Sequence, residues 1–161
     1  MLRVIIPIVM AFTLTACVVV PIPVGGTEVS RNNAIQFAAV PVSGFGAMLN
    51  KARADNGLGA LSPNTRLAAA AQSHAQDMVQ RGYFAHQSIN GTTPATRVRA
   101  NGYCYRFVAE NLASGQYNEA SVIAAWMGSP GHRQNMLARN ACEYGLGRQG
   151  NMWVLVLGTP C

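Results

Sequence analysis

Residues 4–12, Val-Ile-Ile-Pro-Ile-Val-Met-Ala-Phe, form an uncharged apolar run that decides how much of this chain is left to fold. Arg3 is the only charge before Glu28. The run is too short to span a membrane as a stable helix, yet it has the length and flanks of a secretory leader. Beyond it, Pro21, Pro23, Gly25, Gly26, Pro41 and Gly44 punctuate a stretch without helical or strand period, which reads as a partly extended tether. Within it, Gln36–Val40 has the composition of a short helical turn that docks on the domain. The foldable part is therefore 44–161, enough for one modest core. The chain is 50% hydrophobic and only 11% charged, which excludes a disordered protein.

The apolar run ends in Leu14-Thr15-Ala16-Cys17. This resembles a bacterial lipobox, in which the Cys carries the lipid. The expected organisation is a lipoprotein signal peptide at 1–16, a lipidated N-terminus and tether at 17–43, and a domain at 44–161. Diacylglycerol on Cys17, with the usual N-acyl chain, anchors the mature chain to a membrane, each buried CH₂ adding about 0.8 kcal/mol. Val18 is not the Asp that retains such proteins in an inner membrane, so the outer membrane is expected if the source is Gram-negative. Lys and Arg total 12 against 6 acidic residues, a net +6, and loss of Arg3 leaves 11 − 6 = +5. The excess serves solubility or attraction to anionic surfaces; in sequence the arginines are scattered. No recognition motif for nucleic acid is present.

Apolar periodicity organises the domain. Phe45, Met48, Leu49 and Ala52 predict a helix over 45–55, ended by Asn56-Gly57. Asn64 caps a second, 65–81, with Leu67, Ala71, His74 and Met78 on one face, Gly82 at its end, and four alanines at 68–71 that imply close approach of a neighbour. Thr93-Pro94 opens a short helix to Ala100. Residues 103–108 read as a strand. Asn118 caps a helix bearing Val122, Ile123 and Trp126, and Ser129-Pro130 starts another to about Ala138. Strands at 142–148 and 152–157 form a hairpin through Gln149-Gly150-Asn151. The sum is an α+β, three-layer arrangement of helices around a small antiparallel sheet.

Four stretches carry the chemistry: Tyr83-Phe84-Ala85-His86, Ala109-Glu110-Asn111-Leu112, Trp126-Met127-Gly128-Ser129, and Ser129-Pro130-Gly131-His132-Arg133-Gln134-Asn135-Met136-Leu137. In this order, and with Leu49-Asn50…Arg53…Gly57-Leu58 and Glu143-Tyr144-Gly145-Leu146-Gly147, they resemble the bacterial branch of the CAP superfamily. That superfamily includes cysteine-rich secretory proteins, insect venom antigens and plant pathogenesis-related proteins. The resemblance covers about 45–161 and implies an α-β-α sandwich with two His and two Glu lining a cleft. His86, Glu110 and His132 stand at three of these positions. Ser129 stands where the second Glu is expected, which removes one carboxylate from a four-residue metal site.

Two neutral imidazoles and a carboxylate suit Zn²⁺ with a water as fourth ligand. No cofactor is fixed by the sequence; a divalent metal such as Zn on His86 and His132, with Glu110 third, is the expectation the resemblance carries, because the spacings match no local metal motif. Against this stand plainer roles. His86 can bond a loop carbonyl, Glu110 and Asn111 can brace backbone, and Ser129 can cap the helix that Pro130 opens. His132, in the first turn of that helix, is expected neutral. Arg133 can meet a carboxylate or an anionic ligand. His74 reads as a satisfied core histidine, and Trp126 and Met127 as core.

Export permits disulfides. With Cys17 lipidated, Cys104, Cys142 and Cys161 allow three single bridges. Cys142–Cys161 is expected from the terminal hairpin, with Cys104 competing. The chain is expected to be a monomeric, extracytoplasmic, lipid-anchored binding module at the cell envelope, its ligand a lipid, cell-wall or protein group in the His/Glu cleft. The alternative is a hydrolase using metal-bound water or a His/Glu pair.

Overall fold

The computed structural model of this 161-residue chain describes residues 44–116 and 118–161. The leader, Cys17, the tether and the Gln36–Val40 docking turn lie outside the described residues. Among those described, no helix is long and apolar enough to cross a membrane.

The elements follow in the order α1 (Phe45–Ala54), β1 (Ser62–Pro63), α2 (Thr65–Arg81), α3 (Pro94–Ala100), β2 (Tyr105–Ser114), α4 (Glu119–Gly128), α5 (Pro130–Met136), β3 (Glu143–Gln149) and β4 (Met152–Pro160). The starts are set by side chains. Asn64 accepts from the Arg66 and Leu67 amides, and Thr93 and Asn118 each form a reciprocal capping box. Gly82 ends α2 in the left-handed conformation at φ 68°.

The sheet has the order β1-β3-β4-β2. It is antiparallel apart from the two-residue β1, unread in the sequence, which pairs in parallel with the start of β3. Strand β4 is central and covered on both faces, which explains its near-continuous apolar run. Its odd members Trp153, Leu155 and Leu157 pack with Phe45, Leu49, Val122, Trp126 and Met136 of α1, α4 and α5. Its even members Val154 and Val156 pack with Leu67, Ala70, Ala71, Ala75, Met78 and Val98 of α2 and α3. Period-two alternation thus builds three layers from one strand. Arg53, buried on α1, donates to the carbonyls of Gly59, Met136 and Ala138, and so ties α1 to the end of α5.

Two expectations are corrected here. Strand β2 does not stop at Val108 but continues to Ser114, so Glu110-Asn111-Leu112 lie on a strand and not in a loop. The disulfide joins Cys104 to Cys161, with Cα atoms 5.5 Å apart, and Cys142 is a free, exposed thiol. Register is the reason. Tyr105 faces Pro160, which brings the residues just outside that pair together. Glu143 faces Gly158, so Cys142 aligns with Thr159 and falls short of Cys161. The bridge ties the ends of β2 and β4 over a separation of 57 residues and stabilises the domain by about 2–4 kcal/mol.

Candidate functional site

Strand β2 is an edge strand, and its alternation sends neighbouring side chains into different layers. Val108 and Leu112 belong to the α2–α3 side, and Phe107, Ala109 and Ala113 to the α1–α4–α5 side. Glu110 shares the parity of the first set and Asn111 that of the second. The candidate site forms where these two layers meet at the sheet edge.

Glu110 is buried, its side chain 2% exposed, and both its oxygens are engaged. Oε1 pairs with His86 Nδ1 at 2.8 Å, and Oε2 accepts from Arg97 Nη2 at 2.7 Å. Arg97, also buried, donates further to the carbonyls of His86 (2.8 Å) and Thr92 (3.1 Å) and to Ser88 Oγ (3.3 Å). One guanidinium therefore neutralises the carboxylate and laces the 86–92 loop against α3. The His86 ring itself is 55% exposed, held by one nitrogen and open at the other.

On the other side, Asn111 Nδ2 donates to the His132 carbonyl at 2.9 Å, and its Oδ1 accepts from Asn135 Nδ2 at 2.8 Å. Asn135 also donates to the Glu110 carbonyl. These bonds pin the first turn of α5 to β2 and bring the His132 ring within electrostatic range of His86. Burial, and then the neighbouring His86, hold the His132 pKa below the ordinary 6.5. His132 is thus neutral as expected, for reasons of burial and a second imidazole. Ser129 occupies the N-cap of α5, yet its side chain makes no capping bond there.

The structure joins the side chains of His86 and Glu110 and ties the His132 backbone to the adjacent Asn111. The three-ligand metal arrangement is not formed: among the described residues no group of three His, Cys, Asp or Glu side chains is placed to hold a metal ion. Glu110 is spoken for by Arg97 and His86, and the Arg97 charge disfavours a second cation beside it. Arg97 was missed in the sequence. A carboxylate on a buried strand demands a counter-charge, but nothing local tells which of 11 arginines supplies it.

His74 is a core residue, as read. Its Nε2 bonds the Ala85 carbonyl at 2.9 Å and its Nδ1 meets Ser88 Oγ at 3.4 Å, so it supports the loop that carries His86. Burial first, then the Arg97 charge, lower its pKa from 6.5. The folded state therefore binds fewer protons than the unfolded state below that value. Stability is full above pH 6.5 and falls as the pH drops below it. Urea melts at pH 7.5 and at pH 5 (about one unit above and one and a half below the unfolded value) are expected to show that loss, and His74→Gln to reduce it. An open groove of about 270 Å³ lies elsewhere, between α1 and α4, lined by Met48, Ala52, Ile123 and Met127 among others. Met127 is thus half-buried, packed against the core on one side and lining the groove on the other.

The sequence model of the CAP (cysteine-rich secretory protein) family matches residues 47–152. The Bacillus subtilis protein YkwD is 35% identical over 108 residues, covering 66% of this chain and 42% of that relative. A membrane protein of the same organism, YlbC, is 26% identical over 100 residues, 62% of this chain and 29% of its own length. The chain thus spans less than half of either relative. Among solved structures, an extracellular SCP-domain protein of Bacillus anthracis superposes with a TM-score of 0.67 at 24% identity, over 68% of this chain and 37% of that one. An outer surface protein of Borrelia burgdorferi gives 0.65 at 22% identity, over 71% and 89%. These two likenesses establish the three-layer fold. With the family match running through all the motifs that gather at the β2 edge, this chain belongs to the CAP, or cysteine-rich secretory protein, family.

Proposed function

We infer that this protein is an extracytoplasmic binding module, held at the cell envelope by lipid on Cys17, whose ligand sits against His86 and His132. The observation that carries the reading is the double engagement of Glu110. Its carboxylate is consumed by Arg97 and His86, so it braces the site and is not free to activate water. What remains accessible is imidazole, which donates and accepts hydrogen bonds to polar groups of a cell-wall, lipid or protein ligand. The relatives that resemble this fold are described as extracellular and outer-surface proteins, in keeping with an envelope setting.

A second reading, hydrolysis, draws on one feature: the lowered pKa of His132 keeps its ring neutral and competent as a base. One set of measurements separates the two. Soluble muropeptides, casein and short-chain phospholipid are titrated into the full chain with Cys17→Ser, calorimetry reports binding, and chromatography reports cleavage. Binding without turnover is expected, weakened about tenfold or more by His86→Ala or His132→Ala, the loss of one hydrogen bond to a buried partner. Cleavage abolished by His132→Ala at unchanged melting temperature establishes the hydrolase instead. Binding indifferent to both substitutions refutes the assignment of the site.

A further inference from the structure

The arginines that are scattered in sequence are gathered by the fold. Arg66 stands in the first turn of α2, Arg99 in the last turn of α3 and Arg106 in β2, where the register shifts between Tyr105 and Phe107. Arg66 Nη1 donates to the Gly102 carbonyl at 3.0 Å. The Arg99 guanidinium lies over the Tyr105 ring, 4.9 Å from its centroid. Arg106 Nε donates to the Pro160 carbonyl at 3.0 Å, and Pro160 is the ladder partner of Tyr105. Gly102 N in turn donates to the Arg99 carbonyl. All three cations therefore hang from one short stretch, 99–106, at the end of the sheet that the Cys104–Cys161 bridge fastens.

All three are exposed. Among the described residues Asp55 pairs with Lys51, Asp77 with Arg81, and Glu110 with His86 and Arg97, so none of these ion pairs engages Arg66, Arg99 or Arg106. Glu143, near this end, accepts from the Tyr103 hydroxyl at 2.6 Å. Each guanidinium has five N–H donors, and the contacts above orient it while leaving donors for an outside acceptor.

We propose that the Arg66–Arg99–Arg106 face docks on an anionic lipid surface, its guanidiniums donating to phosphodiester headgroups. Arg matches the planar geometry of phosphate oxygens better than a point charge does. The half-buried Tyr105 ring beneath Arg99 favours a membrane over a hydrated polymer, because amphipathic aromatic rings settle at the headgroup boundary. Docking there turns a tethered domain into an oriented one. The inference is independent of the ligand assigned to His86 and His132.

The test uses the full chain with Cys17→Ser, so that no acyl chain is present. Its partition onto phosphatidylcholine vesicles is compared with that onto vesicles also containing phosphatidylglycerol, at low and high salt. Binding that depends on phosphatidylglycerol is expected, and it should vanish at high salt. It should fall about fivefold for each Arg→Gln change, and on the order of a hundredfold for Arg66→Gln/Arg99→Gln/Arg106→Gln. An equal-charge control, Arg81→Gln/Arg133→Gln/Arg139→Gln, should retain most of it, with thermal melts confirming that both variants fold. Equal binding to both vesicle types, an equal loss in the control, or binding to soluble polyphosphate but not to vesicles would each overturn the proposal.

Discussion

Glu110→Ala is expected to destabilise the folded domain by about 3–5 kcal/mol, a large share of the stability of a domain this size. The substitution leaves the Arg97 guanidinium, 8% exposed, in the interior without its counter-charge. The cost is that of a buried unpaired ion, well beyond that of a lost surface contact. The damage also spreads, because Arg97 holds the carbonyls of His86 and Thr92 and the hydroxyl of Ser88. Chemical denaturation at neutral pH measures the loss. The double variant Arg97→Met/Glu110→Leu removes both charges and is expected to recover part of it, but not all, since it orphans the loop carbonyls. A loss below about 1 kcal/mol for Glu110→Ala, the range of exposed pairs, would show that the pair is hydrated and that Glu110 is free for other work.

Gly147→Val is expected to cost more than about 4 kcal/mol, beyond the common range of single substitutions. Gly145 and Gly147 alternate on β3 and both face α2. A Cβ at Gly145 would collide with the Leu67 carbonyl carbon and the Ala68 nitrogen, and one at Gly147 with the Ala71 carbonyl and the Gln72 nitrogen. The obstacle is backbone in both cases, so no side chain can turn aside to relieve it. The helix and strand approach so closely because alanines of α2 lie against glycines of β3. Thermal melts of Gly147→Val beside a solvent-facing Gly59→Ala, whose added Cβ meets nothing within 4 Å, isolate the packing effect. Comparable melting temperatures for the two would mean that α2 does not sit on β3 as described.

Much of this was open to reading from the sequence because the signals were local. The bounds of α2 come from Asn64 and Gly82, and the hairpin from a two-residue turn with Gly150 at φ 59°. The alanines at 68–71 implied a close neighbour without naming it, and the neighbour is the Gly-x-Gly of β3. The second half of β2 was hidden because Glu110 and Asn111 look like loop residues. They are tolerated in a strand only because Arg97, Asn135 and the His132 carbonyl meet them, and those partners come from α3 and α5. The disulfide depended on which strands pair and in what register. Three cysteines near one sheet end admit more than one bridge until Tyr105 is known to face Pro160. The convergence of His86 and His132 was legible through the family resemblance alone, since each is placed by a different loop or helix.

In the proposed binding mode His86 and His132 meet the ligand while Glu110 and His74 only support them. Imidazole ¹⁵N spectra of the chain during titration with soluble muropeptides test this directly. The His86 and His132 resonances are expected to move together and saturate, while His74, 1% exposed and bonded to Ala85, stays still. Saturable binding that leaves both His86 and His132 unmoved would contradict it.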